Sequence, residues 1–338
     1  MLRHFLTDIK KNISKVPGEN GIQRDAYFTW SVGSSRGYIT ELKRGHTNIQ
    51  RKVDKQNMSV RFSIITPTFE QVDYIKDTIE SVLGQTFTDF EYIIVDSCSE
   101  DGTKEVVEKY AATDDRIKYI REKDHGQAEG INKGLRMAKG EIVAWLNSDD
   151  FYYNNRVLEH VDKSFRKYDK RVSGSESACG LVIGDAWYCD KNKKMTEYNP
   201  SDRHVKDDVI RRWYYIVQPA CFWKNEGRLL DEKYHYVFDW KFFAEMCEKY
   251  KPLYTHKPYA VYRMYEDNKT GMNNAARRFE VYRLQKELEG DTLNTAWCRF
   301  VYKAYDKAEK SGNDRIKKYT DFLSKVLFHI SGKRIAGF

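Results

Sequence analysis

The sequence predicts an α/β fold built on a mostly parallel, doubly wound sheet. From residue 61 onward, short apolar runs alternate with amphipathic stretches in a regular rhythm. The run at 142–146 is apolar throughout, as a strand buried on both faces requires. Each run stops abruptly at polar turn residues. Alternating β and α units of this length form parallel sheets with helices on both faces.

The elements follow in order. Residues 62–66 read as strand 1, 72–83 as a helix and 90–95 as strand 2. A helix over 101–111 precedes strand 3 at 117–120, and a helix over 126–138 leads to strand 4 at 142–146. Right-handed crossovers place the turns after strands 1, 2 and 4 on one sheet edge. That brings 66–70, 96–102 and 147–150 towards one crevice, where open α/β sheets bind ligands.

Strand 4 belongs to GEIVAWLNSDD, residues 140–150. Two adjacent carboxylates, Asp149 and Asp150, are costly unless a positive charge joins them. A divalent cation holding a diphosphate would suit, since hard cations prefer oxygen ligands. The alternative is a helix cap ahead of a helix starting near Asn155. After strand 1, Thr66, Pro67, Thr68, Phe69 and Glu70 offer a fixed turn, an aromatic ring and a carboxylate. Asp96 ends strand 2 and can accept from a base N–H or cap its own turn. The dinucleotide fingerprint G-x-G-x-x-G is missing after strand 1.

Together SIITPTFEQ, VDSCSEDGT, DHGQAEGINKG and GEIVAWLNSDD closely resemble the motifs of glycosyltransferase family 2, in order and spacing. The resemblance implies a GT-A fold, a Rossmann-like, mostly parallel doubly wound sheet, and inverting transfer from a nucleotide sugar. It puts Pro67, Phe69, Glu70 and Asp96 around the nucleoside. It gives Asp149 the diphosphate through Mn²⁺ or Mg²⁺. Thr66, Gln127, Asn132, Lys133 and Asn147 join the nucleotide-sugar set. Three positions depart from the family pattern. Asn147 is a neutral first ligand, Cys98 replaces the usual Gly or Asn, and Tyr265 stands where the family has His.

The second half is less regular. Residues 157–168 form an amphipathic helix, and 181–188 with 194–198 read as a hairpin. Asp185 lies near the family's substrate-contacting acid. Residues 213–223, WYYIVQPACFW, match its acceptor segment, which points to Gln218 and Trp223 or to plain aromatic core. An inverting transfer needs a base for the acceptor hydroxyl. Asp239, opening the helix DWKFFAEMCEKY, matches the family's base, with Asp231 and Glu232 close by. Its other reading, a helix cap, is compatible with that role. Residues 257–265 read as a strand, and Arg263 is expected at the diphosphate. His256 would point elsewhere unless that strand bends.

The 338 residues accommodate this domain at 58–274, an N-terminal basic extension at 1–57 and a C-terminal helical extension at 275–338. The net charge of +8 sits at the ends, +6 in 1–57 and +5 in 291–338, leaving −3 between them. A nucleic-acid groove along the core is therefore not expected. The six cysteines are scattered without a C-x-x-C pair, as suits a reducing cytoplasm. No membrane span or signal peptide is visible in the sequence. Residues 1–16 form a helix that packs on the body or lies on a membrane. The C-terminal helices, near 275–288, 295–311 and 314–330, pack on the domain, form a homo-oligomer, meet anionic lipid or stay solvated.

The expected protein is a cytoplasmic inverting glycosyltransferase, peripheral at the inner face of the membrane in one reading. It would move a sugar from a UDP-sugar to a saccharide or lipid-linked glycan. A catalytically silent GT-A module that binds nucleotide or glycan is the alternative. A nucleotidyltransferase would need a Gly-rich basic loop after strand 1, and none is there.

Overall fold

The computed structural model describes residues 60–171, 180–201, 210, 216–265 and 274–330. The expectations for 1–57 and for 211–215 lie outside the described residues.

Strands β1 (Phe62–Thr68), β2 (Phe90–Asp96), β3 (Ile117–Arg121) and β4 (Ile142–Trp145) pair in parallel, in the spatial order β3-β2-β1-β4. All seven residues of β1 and of β2 are buried, so their apolar residues do not alternate strictly with solvent-facing ones, and the buried Ser63 donates to Glu91. Helices α1 (Ile75–Leu83), α2 (Thr103–Ala111) and α4 (Val157–Arg171) are joined by α3 (Gln127–Met137). Phe62 and Ile64 face a core shared with Ile79, Val107 and Leu158, so α1, α2 and α4 cover one face. Ile65 faces the opposite core with Ile131 and Leu135 of α3. A Cβ at Gly134 would stand 2.5 Å from Ile65 Cγ2, so this close helix–strand approach needs glycine.

The sheet continues through a mixed half. Strand β8 (Cys221–Lys224) is antiparallel to β4, and β6 (Leu181–Cys189) is antiparallel to β8. Strand β9 (Leu253–Arg263) runs parallel to β6, and the two-residue β5 (Phe151–Tyr152) pairs with it antiparallel. Strand β7 (Met195–Asn199) completes the expected hairpin with β6. A register shift in β9 near His256, whose φ is +51°, supplies a bend.

Two local readings change. Strand 1 runs on through Pro67 and Thr68, so the turn begins later. The expected cap at Asp149 or Asp150 is replaced by β5, and α4 starts only at Val157.

Helix α5 (Phe238–Lys249) packs Phe242 and Phe243 against Trp145 and Trp223. Helices α6 (Ala275–Glu289), α7 (Leu293–Ser311) and α8 (Asp314–Ile330) follow. Val281, Leu284 and Cys298 enter the same core as α3 and α5. Helices α6 and α7 therefore pack on the sheet domain, and α8 is tied to α6 through the Arg278–Asp321 ion pair.

Candidate active site

The turns after β1 and β2 are stitched together at the carboxyl edge of the sheet. Glu70 N donates to Ser99 Oγ at 2.8 Å and Gln71 N to Thr103 Oγ1 at 2.8 Å. Ser97 N reaches Thr68 O at 3.0 Å. Glu70 and Cys98 both adopt left-handed backbone, with φ of +52° and +62°. That explains why Gly or Asn is the usual residue at position 98. Phe69 is 55% exposed and Glu70 is also exposed, so both project from the edge. Pro67 is buried. Asp96 is fully buried. Its Oδ1 accepts from Ser99 N and Oγ, and its Oδ2 from the Tyr119 hydroxyl at 2.7 Å. It holds its own turn, as one of the two sequence readings had it.

After β4, the 147–150 turn rests on α1, where the Thr78 hydroxyl lies 2.9 Å from Ser148 O and 2.7 Å from Asp150 O. Three expected residues meet in one row. Gln127 Nε2 donates to Asn147 Oδ1 at 3.0 Å, and Asn147 Nδ2 lies 3.3 Å from Gln218 Oε1. Gln218 Nε2 is fixed on Trp145 O at 2.6 Å. The row leads from the start of α3 to the QPA turn. A Cβ at Gly130 would stand 2.8 Å from Asp124 Oδ2, so the motif's glycine leaves room for Asp124, which accepts from Gly126 N.

Asp149 accepts from the Tyr265 hydroxyl at 2.9 Å, while Asp150 Oδ1 accepts from Arg263 N at 3.0 Å. Burial raises the Asp149 pKa against the lowering effect of Tyr265. Burial and the neighbouring Asp149 charge push Asp150 well above the usual carboxylate range. Burial, with Asp149 beside it, also raises the Tyr265 phenol, which stays a neutral donor. Among the described residues no group of three His, Cys, Asp or Glu side chains could hold a metal ion. The donors at hand are two carboxylates and the Asn147 carbonyl oxygen. A hard cation that keeps several waters and binds phosphate oxygens fits this set, because it needs only one or two protein carboxylates. The raised pKa values are a second fit, since a cation there relieves both.

Several expected contacts point elsewhere. Arg263 is 2% exposed and its guanidinium bonds to Asp77 Oδ2 at 2.8 Å and stacks over Tyr74. Against the raising effect of burial, hydrogen bonds from Arg263 and Lys193 hold the Asp77 carboxyl below its ordinary range. Asn132 spends its amide on Leu230, donating to O at 3.0 Å and accepting from N at 2.8 Å, with Glu232 also bound. Lys133 is paired with Glu122 at 2.9 Å. The Thr66 hydroxyl is buried against Tyr92. Trp223 is core, edge-on to Trp145 at 5.9 Å. Asp185 is buried in its hairpin, bound by Ser201 N, Ser201 Oγ and the Tyr198 hydroxyl. In each case the side-chain direction depends on packing against residues remote in sequence.

Asp239 is the second residue of α5, and its Oδ1 accepts from Trp240 N at 2.8 Å. It is not the cap. The helix start is held by Glu280 of α6, whose buried carboxylate accepts from His235 N (2.8 Å), Tyr236 N (2.7 Å) and Val237 N (3.3 Å). Sequence reading missed Glu280, because an acid in a surface-like helix carries no sign of a remote helix end.

A GT-A sheet with a carboxylate pair at the end of β4 defines a sugar-transferring class of protein. The comparisons agree: the family model for glycosyl transferase family 2 matches residues 63–264, and the chain belongs to that family. A Bacillus subtilis protein named as a teichuronic acid biosynthesis glycosyltransferase, TuaG, is 41% identical over 149 residues. That match covers 44% of this chain and 58% of TuaG. The Campylobacter jejuni GalNAc(5)-diNAcBac-PP-undecaprenol beta-1,3-glucosyltransferase is 25% identical over 66% of this chain and 71% of its own. Among solved structures, S. aureus TarS with UDP-GlcNAc superposes with a TM-score of 0.53 at 18% identity, covering 70% of each chain. The mannosyltransferase PcManGT from Pyrobaculum calidifontis, with GDP-Man and Mn²⁺, gives 0.52 at 14% identity, covering 86% of this chain and 90% of its own. These two likenesses describe the fold. The chain is thus a glycosyltransferase of glycan or polysaccharide biosynthesis.

Proposed function

We propose that the chain transfers a sugar with inversion from a UDP-sugar to a saccharide or lipid-linked glycan acceptor. The observation that carries this reading is the Asp149–Asp150 pair beside the Gln127–Asn147–Gln218 row. Phe69, Glu70 and Asp96 would meet the nucleoside. Asp149, Asp150 and Asn147 Oδ1 would hold Mn²⁺ or Mg²⁺, which when bound neutralises charge on the leaving diphosphate. The Asp239 carboxylate takes the acceptor hydroxyl proton as that oxygen attacks the anomeric carbon. The bond from that carbon to the diphosphate oxygen breaks, and UDP leaves from the opposite face.

The proposal divides the chain into a basic 1–57 extension, a catalytic 58–274 domain and a helical 275–338 segment. It also sets the protein against the inner face of the membrane. Helix α8 exposes Tyr319 (64%) and Phe322 (61%) on the face carrying Arg315 and Lys318. Aromatic rings among cations suit an anionic lipid surface. Among the described residues no helix is long and apolar enough to cross a membrane.

The test is UDP release from UDP-sugars, with and without Mn²⁺, alongside protection against thermal unfolding. Asp149→Ala should abolish metal-promoted donor protection while the protein stays folded. Donor binding without turnover on any acceptor would favour the silent module, for which the neutral Asn147 and Tyr265 speak.

A further inference from the structure

A cavity of about 270 Å³ opens between α4 and the first half of β9. It lies at the end of β9 away from Arg263, whose backbone meets Asp150. Its basic side chains are His160 and Lys167 from α4 and Lys257 from β9, and no carboxylate lines it. Both lysines are exposed, and no described acid pairs with either. Glu159, next to His160, is held by Arg156 at 3.1 Å and by Lys163 at 2.5 Å. The local field is positive. Burial, then Lys257 and Arg156, push the His160 imidazole below its ordinary range.

The floor has its own chemistry. Tyr259 is fully buried behind it, and its hydroxyl is closed off from the cavity beside the Ser164 and Thr255 hydroxyls. Those two donate to backbone carbonyls, His160 O at 2.8 Å and Ile183 O at 3.4 Å. The wall is thus neutral hydroxyl and aromatic ring, and the two lysines carry its charge.

We propose that this cavity binds a phosphoryl group carried on a saccharide, at a site separate from the one that performs transfer. Lysine ammonium groups from two elements and the neutral His160 face the phosphoryl oxygens, which accept charge-assisted hydrogen bonds. The Tyr168 ring on the cavity wall offers a face to a sugar. The volume equals that of about nine waters and falls below the ~300–1,000 Å³ of drug-sized ligand sites. A sugar phosphate suits it, and a nucleotide sugar does not. The proposal stands apart from the donor and base assignments above, since binding here needs neither.

The same chemistry comes from a free sugar phosphate or from a phosphodiester along a glycan chain. Isothermal titration of the full chain with glucose 1-phosphate, inorganic phosphate and glucose tests it, with UDP and Mn²⁺ present to fill the other site. We expect saturable binding of glucose 1-phosphate, weaker binding of phosphate and none of glucose. The exposed pair Lys167→Ala/Lys257→Ala should lower affinity by about tenfold or more. Competition by glycerol phosphate oligomers identifies the polymer as the source, and failure to compete identifies the monoester. Absent heat at millimolar glucose 1-phosphate, or equal affinity in the double variant, overturns the proposal, whatever the outcome of the UDP-release test.

Discussion

Tyr265 donates its hydroxyl hydrogen to Asp149 Oδ2 at 2.9 Å across 116 residues of chain. The phenol therefore sits on the carboxylate proposed above as the leading metal ligand. It orients Asp149, but a neutral phenol is a poor ligand for a hard divalent ion. Imidazole is a much better one. Tyr265→His should tighten Mn²⁺ binding by about tenfold, near the 1.4 kcal/mol that a tenfold change represents. Electron paramagnetic titration of free Mn²⁺ measures this directly. Unchanged or weaker affinity would mean that position 265 does not reach the ion.

The raised pKa values of Asp149 and Asp150 give a pH dependence with a definite sign. The folded state holds protons that the unfolded chain has already released. Stability from this pair is therefore lost as pH rises from the ordinary carboxylate range through the raised values. A cation reverses the loss at neutral pH, whereas in acid it must first displace a proton. The Mn²⁺-induced rise in melting temperature should be larger near pH ~7.5 than near pH ~5. A shift of equal size at both would show that the ion does not bind this pair.

Much of this architecture is legible in the sequence. Buried parallel strands leave continuous apolar runs, so β1 to β4 could be placed with their edge turns. Gln127, Asn147 and Gln218 came together because each sits where an element begins or ends. Interactions between distant residues were not legible. Arg263 meets Asp77 over 186 residues, and nothing local to either marks the pair. Asn132 shares a motif with Gln127, yet it lies further along α3 and faces Leu230. Of the two readings of the 213–223 aromatics, Trp223 follows the plain core, because β8 turns that ring inward.

Glu280 extends the functional unit beyond the family's matched segment, which ends at residue 264. Its carboxylate ties three backbone N–H groups at the start of the helix that carries Asp239. Glu280→Ala leaves those donors without their partner and should cost about 2–3 kcal/mol of stability. The shifted helix start should lower kcat by up to ~10²-fold, with the donor KM nearly unchanged. Glu280→Gln keeps an acceptor oxygen and should recover part of both. A kcat untouched in a folded Glu280→Ala protein would separate this contact from catalysis.

The exposed rings of α8 make the membrane contact testable without deleting a helix. Tyr319→Ser/Phe322→Ser removes apolar area from the face that carries Arg315 and Lys318. Co-sedimentation with anionic vesicles at low salt should fall several-fold, while neutral vesicles bind little to either protein. UDP binding should be unaffected. Equal sedimentation of wild type and variant would leave this face to another partner or to solvent.

Asp239 is placed to be tested as the base. Substituting Asn keeps the shape and an acceptor for Trp240 N, but the side chain no longer takes a proton. Helix α5 keeps its start, because Glu280 holds it independently of residue 239. Donor binding should survive, since the residues proposed for the nucleotide and diphosphate lie at and just beyond the ends of β1, β2 and β4. Transfer should fall by roughly 10² to 10⁴, the usual contribution of a general base. The loss should appear in kcat, because proton removal matters in the transition state and little in the ground state. Near wild-type transfer by Asp239→Asn would move the role to Asp231 or Glu232. Asp185 is the weaker substitute, because Ser201 and Tyr198 already occupy its carboxylate.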